Sequence, residues 1–172
     1  MTRPVVLVSV VEPTNLGAIK EVSELLRAYL AQTETAKRQH AGGPAQADAL
    51  MPDRYKREVD DPGQAFATGT LVLARHDGRA IGVLAMVPVD GTVIEIKRLW
   101  VSPEARGLGA GSDLMRTALH PATAAGWLTA RLSVWSWRVP ALATYRRLGF
   151  RTVPSWDARA DLICMERDLS AS

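Results

Sequence analysis

Two Asp-Gly pairs constrain the fold of this chain more than any other local feature. Asp77-Gly78 separates the apolar runs Leu71–Arg75 and Ala80–Val87, and Asp90-Gly91 separates the second run from Val93–Val101. Asp-Gly between apolar runs is a strong hairpin signal, because both residues accept the positive φ that a tight two-residue turn demands. Three runs joined this way read as an antiparallel meander. Elsewhere the period changes. Val5–Val10 is a short β-branched run that reads as a strand. Leu16, Ile19, Val22, Leu25, Leu26, Tyr29 and Leu30 then recur at helical spacing, predicting an amphipathic helix over about 15–36 with Thr14 or Asn15 as N-cap.

The stretch His40–Met51 is rich in Ala, Gly and Pro and reads as a loop. A shorter helix is expected over 52–60, stopped by Pro62-Gly63. Beyond the meander the pattern predicts a helix from Gly107 to about Ala125 and a strand at Ala130–Ser136. A helix over 139–148 and two strands near 150–154 and 161–169 complete the order. The fold class is therefore α/β (α+β), a mixed sheet with helices on its faces. No internal repeat or composition break divides the chain, so residues 1–172 read as one domain.

Composition narrows the function classes. The lone cysteine, Cys164, excludes an internal disulfide, and the apolar run Val5–Val11 is too short for a signal peptide or membrane helix. These point to a cytoplasmic protein with no membrane partner. A formal charge of +3 suits a polyanionic ligand, yet there is no long Lys/Arg run and no nucleic-acid-reading motif. The histidines His40, His76 and His120 lie in a loop, a turn and a helix end, which is no metal-ligand spacing, so no metal is expected. Cys164 reads as a small core residue.

The segment that carries chemistry is Val93 to Gly111, where a strand runs into a glycine-rich turn that opens a helix. The first amides of a helix lack internal partners and lie at the positive end of its dipole. Small residues let a phosphate approach them closely, and Arg106 adds a fixed positive charge. A Walker A loop fits badly, because Gly111 is followed by Ser112-Asp113 rather than Lys-Ser/Thr. A dinucleotide fingerprint fits badly too, since the spacing is Gly107-x-Gly109-x-Gly111 after an antiparallel strand.

Arg106-x-x-Gly109-x-Gly111 resembles the R/Q-x-x-G-x-G/A acyl-CoA signature of the GNAT superfamily of N-acetyltransferases. The likeness continues through Leu132-Ser133-Val134, a helix with Ala141 and Tyr145, and the ending Leu148-Gly149-Phe150. It is specific over 93–150 and merely compatible on either side. The resemblance implies a mostly antiparallel sheet in which two parallel neighbours splay apart to admit the pantetheine arm of acetyl-CoA. Leu99, Trp100 and Val101 would offer backbone groups to that arm. The amides of Arg106, Gly107, Leu108, Gly109, Ala110 and Gly111 would hold the pyrophosphate, and Leu132–Ser136 would form the other side of the gap.

The same resemblance implies acetyl transfer to a primary amine by direct attack in a ternary complex. Tyr145 stands where relatives keep a tyrosine near the sulfur, which makes it the general acid; a phenol is protonated at neutral pH and can donate. Glu95 stands where some relatives carry a general base, and it could equally be paired with Lys97 on the same strand face. Many relatives have asparagine seven residues before the tyrosine; here Arg138 stands there, able to reach a phosphate or an acidic substrate. Trp100, Trp135 and Trp137 could line an aromatic pocket or pack in the core. The acceptor, a small-molecule or peptide amine, is expected to be defined by 30–65, 135–138 and 154–160. A non-catalytic acyl-CoA-binding or sensing domain is the alternative, and exposed sheet edges could support a homodimer.

Overall fold

The computed structural model describes residues 5–43 and 51–170. Its order is β1 (Leu7–Val10), α1 (Leu16–His40), α2 (Asp53–Asp60), α3 (Pro62–Ala65), β2 (Thr70–His76), β3 (Arg79–Pro88) and β4 (Val93–Val101). A single 3-10 turn (Pro103–Ala105) then leads to α4 (Ala110–Ala124), β5 (Thr129–Trp135), α5 (Val139–Arg147), β6 (Arg151–Val153) and β7 (Leu162–Asp168). The described strands form one sheet in the order β1-β2-β3-β4-β5-β7-β6, antiparallel except between β4 and β5. The expected α/β class and mixed, mostly antiparallel sheet are what is found.

The two Asp-Gly pairs turn the chain by different means. Asp77 and Gly78 take φ of +48° and +76°, a tight turn that carries β2 directly into β3. At the second pair the loop is longer, and the Asp90 side chain organises it: Oδ1 accepts from the Thr92 and Val93 amides at 2.7 and 2.9 Å. Asx capping of this kind replaces the backbone turn.

Helices cover both faces. On one, Val22, Leu26 and Leu30 of α1 pack with Val59, Leu73, Val83 and Trp100. On the other, Leu114, Met115 and Ala118 of α4 pack with Leu84, Ile94, Leu132 and Met165. Val72 and Ala74 face the second cluster while Leu71 and Leu73 face the first. Burial on both faces explains why the central strands read as unbroken apolar runs rather than alternating ones.

Element boundaries depart from expectation where polar side chains intervene. The first helix continues to His40, past the last apolar position of its stripe. Lys37 pairs with Glu34 at 2.5 Å and Arg38 donates to Thr35 at 3.3 Å. Lys37, Arg38 and His40 in the last turn also suit the negative end of the helix dipole. Pro62-Gly63 does not merely stop α2. Asp61 caps a new turn by accepting from the Gln64 amide at 3.0 Å, with Pro62 at its first position, where no amide is needed. The α4 helix begins at Ala110 rather than Gly107, because Gly107 and Gly109 take left-handed φ. Most of the loop expected over His40–Met51 lies outside the described residues. Among the described residues no helix is long and apolar enough to cross a membrane.

Candidate active site

The parallel pairing of β4 and β5 stops early. Val93, Ile94 and Glu95 pair with Thr129, Ala130 and Arg131, and there the ladder ends, although β4 runs on to Val101 and β5 to Trp135. β5 meanwhile pairs with β7 along its whole length, so it is β4 and β5 that separate. Two cavities, of about 720 and 460 Å³, open at this gap, and both are lined by Leu99, Arg138, Ala141 and Tyr145. The larger also takes in Val101 and the glycine turn; the smaller takes in Glu95, Tyr29 and Tyr55.

A β-bulge shapes the β4 side of the gap. Val83 pairs with Trp100 and Ala85 with Lys97, so Arg98 and Leu99 together oppose Leu84. Arg98 sits at φ +56°, a conformation that costs a non-glycine residue about 1–2 kcal/mol. Its side chain holds it there. Nε and Nη2 donate to the two Glu58 oxygens at 2.6 and 2.8 Å, and the guanidinium lies 5.1 Å from the centre of the Tyr55 ring. Burial works against the Arg98 charge, but the Glu58 pair outweighs it and raises the pKa further above its ordinary value. This Glu58–Arg98 clamp was not legible in sequence, since nothing in a strand arginine announces a left-handed backbone.

Left-handed backbone at Gly107 and Gly109 shapes the glycine turn. Gly109 caps α4 in the left-handed conformation, φ +83°, without any side-chain cap. The first hydrogen bond of the helix runs from the Asp113 amide to the Gly109 carbonyl at 3.1 Å, which leaves the first-turn amides of Ala110, Gly111 and Ser112 outside the helical ladder. The Arg106 amide donates to the Pro103 carbonyl at 3.3 Å, and Arg106 lines the larger cavity. A Cβ added at Gly111 would meet only Val101 Cγ2, at 3.8 Å. The protein itself therefore leaves room at Gly111.

Tyr145 stands on α5 where the cavities join, edge-on to Phe150 at 6.2 Å. Burial, helped by the nearby Tyr29, pushes its phenol well above the ordinary range, with the Arg138 charge acting in the opposite direction. Glu95 lies in the smaller cavity. Its Oε2 accepts from Arg131 Nε and Nη2 at 3.0 and 2.8 Å, while Oε1 lies 3.5 Å from Lys97 Nζ. Glu95 is thus paired, chiefly with Arg131 rather than Lys97, and it borders the smaller cavity.

Arg138 precedes α5 and lines both cavities. One of its terminal nitrogens, Nη2, donates to the buried Thr33 Oγ1 at 2.8 Å, and the guanidinium lies 5.7 Å from the centre of the Tyr29 ring. The tryptophans divide. Trp100 is a core residue whose Nε1 donates to Gln32 Oε1 at 2.7 Å. Trp135 and Trp137 stack at 4.7 Å, and His40 stacks on Trp137 at 4.3 Å. Cys164 is buried in β7. Among the described residues no group of three or more His, Cys, Asp or Glu could hold a metal ion.

The model of the acetyltransferase (GNAT) family matches residues 25–150. The chain belongs to this family. Among curated GNAT relatives, the mycothiol acetyltransferase of Nocardia farcinica is 33% identical over 134 residues, covering 76% of this chain and 42% of the relative. An uncharacterized N-acetyltransferase of Mycobacterium bovis is 37% identical over 86 residues, covering 50% of this chain and 49% of that one. The chain thus spans about half the length of the curated relatives it matches. Among solved GNAT structures, the PaiA N-acetyltransferase of Thermoplasma acidophilum, in complex with coenzyme A, superposes with a TM-score of 0.70 at 18% identity, over 95% of this chain and 99% of that one. An acetyltransferase of Staphylococcus aureus gives 0.73 at 14% identity, over 96% and 100%. Those likenesses show the shared fold.

Proposed function

We propose that residues 1–172 form a single N-acetyltransferase domain that moves the acetyl group of acetyl-CoA to a primary amine within a ternary complex. The observation that carries this reading is the meeting of two cavities beside Tyr145, in the gap where β4 and β5 part. The larger cavity takes the donor. Its pantetheine arm lies along Leu99, Trp100 and Val101. Its pyrophosphate rests on the turn from Gly107 to Gly111, with Arg106 supplying charge from its side chain. The smaller cavity takes the acceptor.

Holding both reactants at one junction makes the attack effectively intramolecular. The amine nitrogen adds to the thioester carbonyl carbon, the C–S bond breaks, and the sulfur leaves with its electron pair. Tyr145 donates its phenolic proton to that sulfur; the raised pKa keeps the phenol protonated at neutral pH. Glu95 takes the proton lost by the amine, through water, on Oε1, the oxygen Arg131 does not use. Leu99, at the bulge, brings backbone groups outside the regular ladder to the reacting carbonyl.

A thiol-release assay with acetyl-CoA over a panel of amines tests this, with acetyl-CoA binding measured in parallel by calorimetry. Amine-dependent thiol release is expected, falling in both Tyr145→Phe and Glu95→Gln while donor affinity is kept. Tight donor binding without transfer to any amine would support a sensing domain instead. Absence of donor binding would overturn the reading altogether.

A further inference from the structure

The acceptor cavity is unusually cationic for one meant to receive an amine. Lys37, Lys97, Arg98, Arg138 and Arg159 line it, and Glu95 is the single carboxylate among its lining residues. Most of these cations are answered locally. Glu34 pairs with Lys37 at 2.5 Å, Glu58 with Arg98 at 2.6 Å and Asp157 with Arg159 at 2.7 Å. Glu95 is engaged by Arg131 at 2.8 Å and lies only within 3.5 Å of Lys97. Counting Arg131 with its partner, six cationic side chains face four carboxylates, an excess of two positive charges.

Arg138 accounts for the clearest part of that excess. No carboxylate among the described residues pairs with it. Of the five N–H donors on a guanidinium, one is used, by Thr33, while the Tyr29 ring lies nearby. Thr33 and Tyr29 fix the position of the group without neutralising it. An oriented guanidinium fork with free donors, lining a cavity of about 460 Å³, is the geometry that grips a planar oxyanion. The excess charge acts against the opposite class of acceptor. Polyamines and aminoglycosides bring several ammonium groups, and this cavity has no free carboxylates to receive them.

We infer that the acceptor is a small amine that also carries an oxyanion, a carboxylate or a phosphate, and that Arg138 is the residue that reads it. This rests on the acetyl-transfer reading above and narrows it. Specificity here is a difference between partners: the cavity attracts the acid-bearing amine and repels the polycation.

The test uses matched amines that differ by the acid group alone: tryptophan and tryptamine, phenylalanine and phenethylamine, phosphoethanolamine and ethanolamine, with spermidine as the polycation. Binding is measured by calorimetry on the full chain saturated with coenzyme A, and kcat/KM by thiol release. In at least one pair the acid-bearing member is expected to win by about tenfold or more, as a charge-assisted bidentate contact provides. The pair that shows the preference tells carboxylate from phosphate. In Arg138→Gln that preference should collapse, with KM for the acid-bearing member rising by a larger factor than KM for its neutral partner. Equal or better binding by the neutral amines, preference for spermidine, no binding by either member of any pair, or an equal loss on both members in Arg138→Gln would each overturn the inference. Loss of acetyl-CoA binding by the wild type would instead sink the acetyl-transfer reading itself. Donor binding with preference for uncharged or polycationic amines would sink this inference alone.

Discussion

The two halves of the cleft are built from different materials. The half proposed for the donor, from β4 through the glycine turn into α4, is made mainly of backbone: a bulge, two left-handed glycines and the first-turn amides of α4 outside the helical ladder. The half proposed for the acceptor is made of side chains brought together from distant segments, such as Thr33 with Arg138 and Glu58 with Arg98. A backbone cradle is specified by local geometry and tolerates side-chain change wherever φ is respected. A side-chain pocket depends on tertiary pairing, and small changes there alter which partner fits.

The largest expected effect falls at the junction of the halves. Tyr145→Phe should lower kcat about 100-fold, within the range for loss of a general acid, with acetyl-CoA affinity unchanged by calorimetry. A parallel loss of donor affinity would show that Tyr145 belongs to the donor half and not to the chemistry.

Next comes the clamp. Arg98→Ala leaves Glu58 half-buried without its partner and should cost about 3 kcal/mol in urea unfolding. It should also raise KM for the acceptor more than Kd for acetyl-CoA. An equal effect on both would mean that the bulge serves the two halves together.

The glycines separate backbone from space. Gly109→Ala forces a Cβ into the left-handed region and should destabilise by about 1–2 kcal/mol, with weaker acetyl-CoA binding. Gly111→Ala should leave stability within about 0.5 kcal/mol, because the new Cβ meets only Val101 at ordinary contact distance. Equal thermal shifts for the two variants would break the claim that φ, rather than room, specifies the turn.

The smallest effect is one of pH. The Tyr145 phenol is raised by burial, so the folded state stays protonated where an unfolded tyrosine would ionise. Its contribution to stability is complete below about pH 10, the ordinary phenol value, and is lost as pH rises above that. The kcat profile should accordingly show no alkaline limb from Tyr145 below about pH 10. A limb near pH 8 that disappears in Tyr145→Phe would contradict this.

The same contrast explains what the sequence discloses. The meander is legible because Asp77-Gly78 states its turn locally, and the donor half because Gly107, Gly109 and Gly111 punctuate a strand-to-helix passage. Glu58 and Arg131 give no such signal, for each takes its meaning from a partner 36 or more residues away. The left-handed Arg98 could not be inferred either, since the distant Glu58 pair and the Tyr55 ring hold an arginine there. The extra turns of α1 were hidden because polar i,i+3 pairs, not an apolar stripe, carry the helix to His40.

The most direct test of this account is a crystal structure of the chain with acetyl-CoA. Pantetheine should lie between β4 and β5 beyond Glu95, with the pyrophosphate on the Gly107–Gly111 turn and the thioester beside Tyr145, leaving the smaller cavity open for an amine. Acetyl-CoA bound outside the gap, or with its thioester remote from Tyr145, would contradict it.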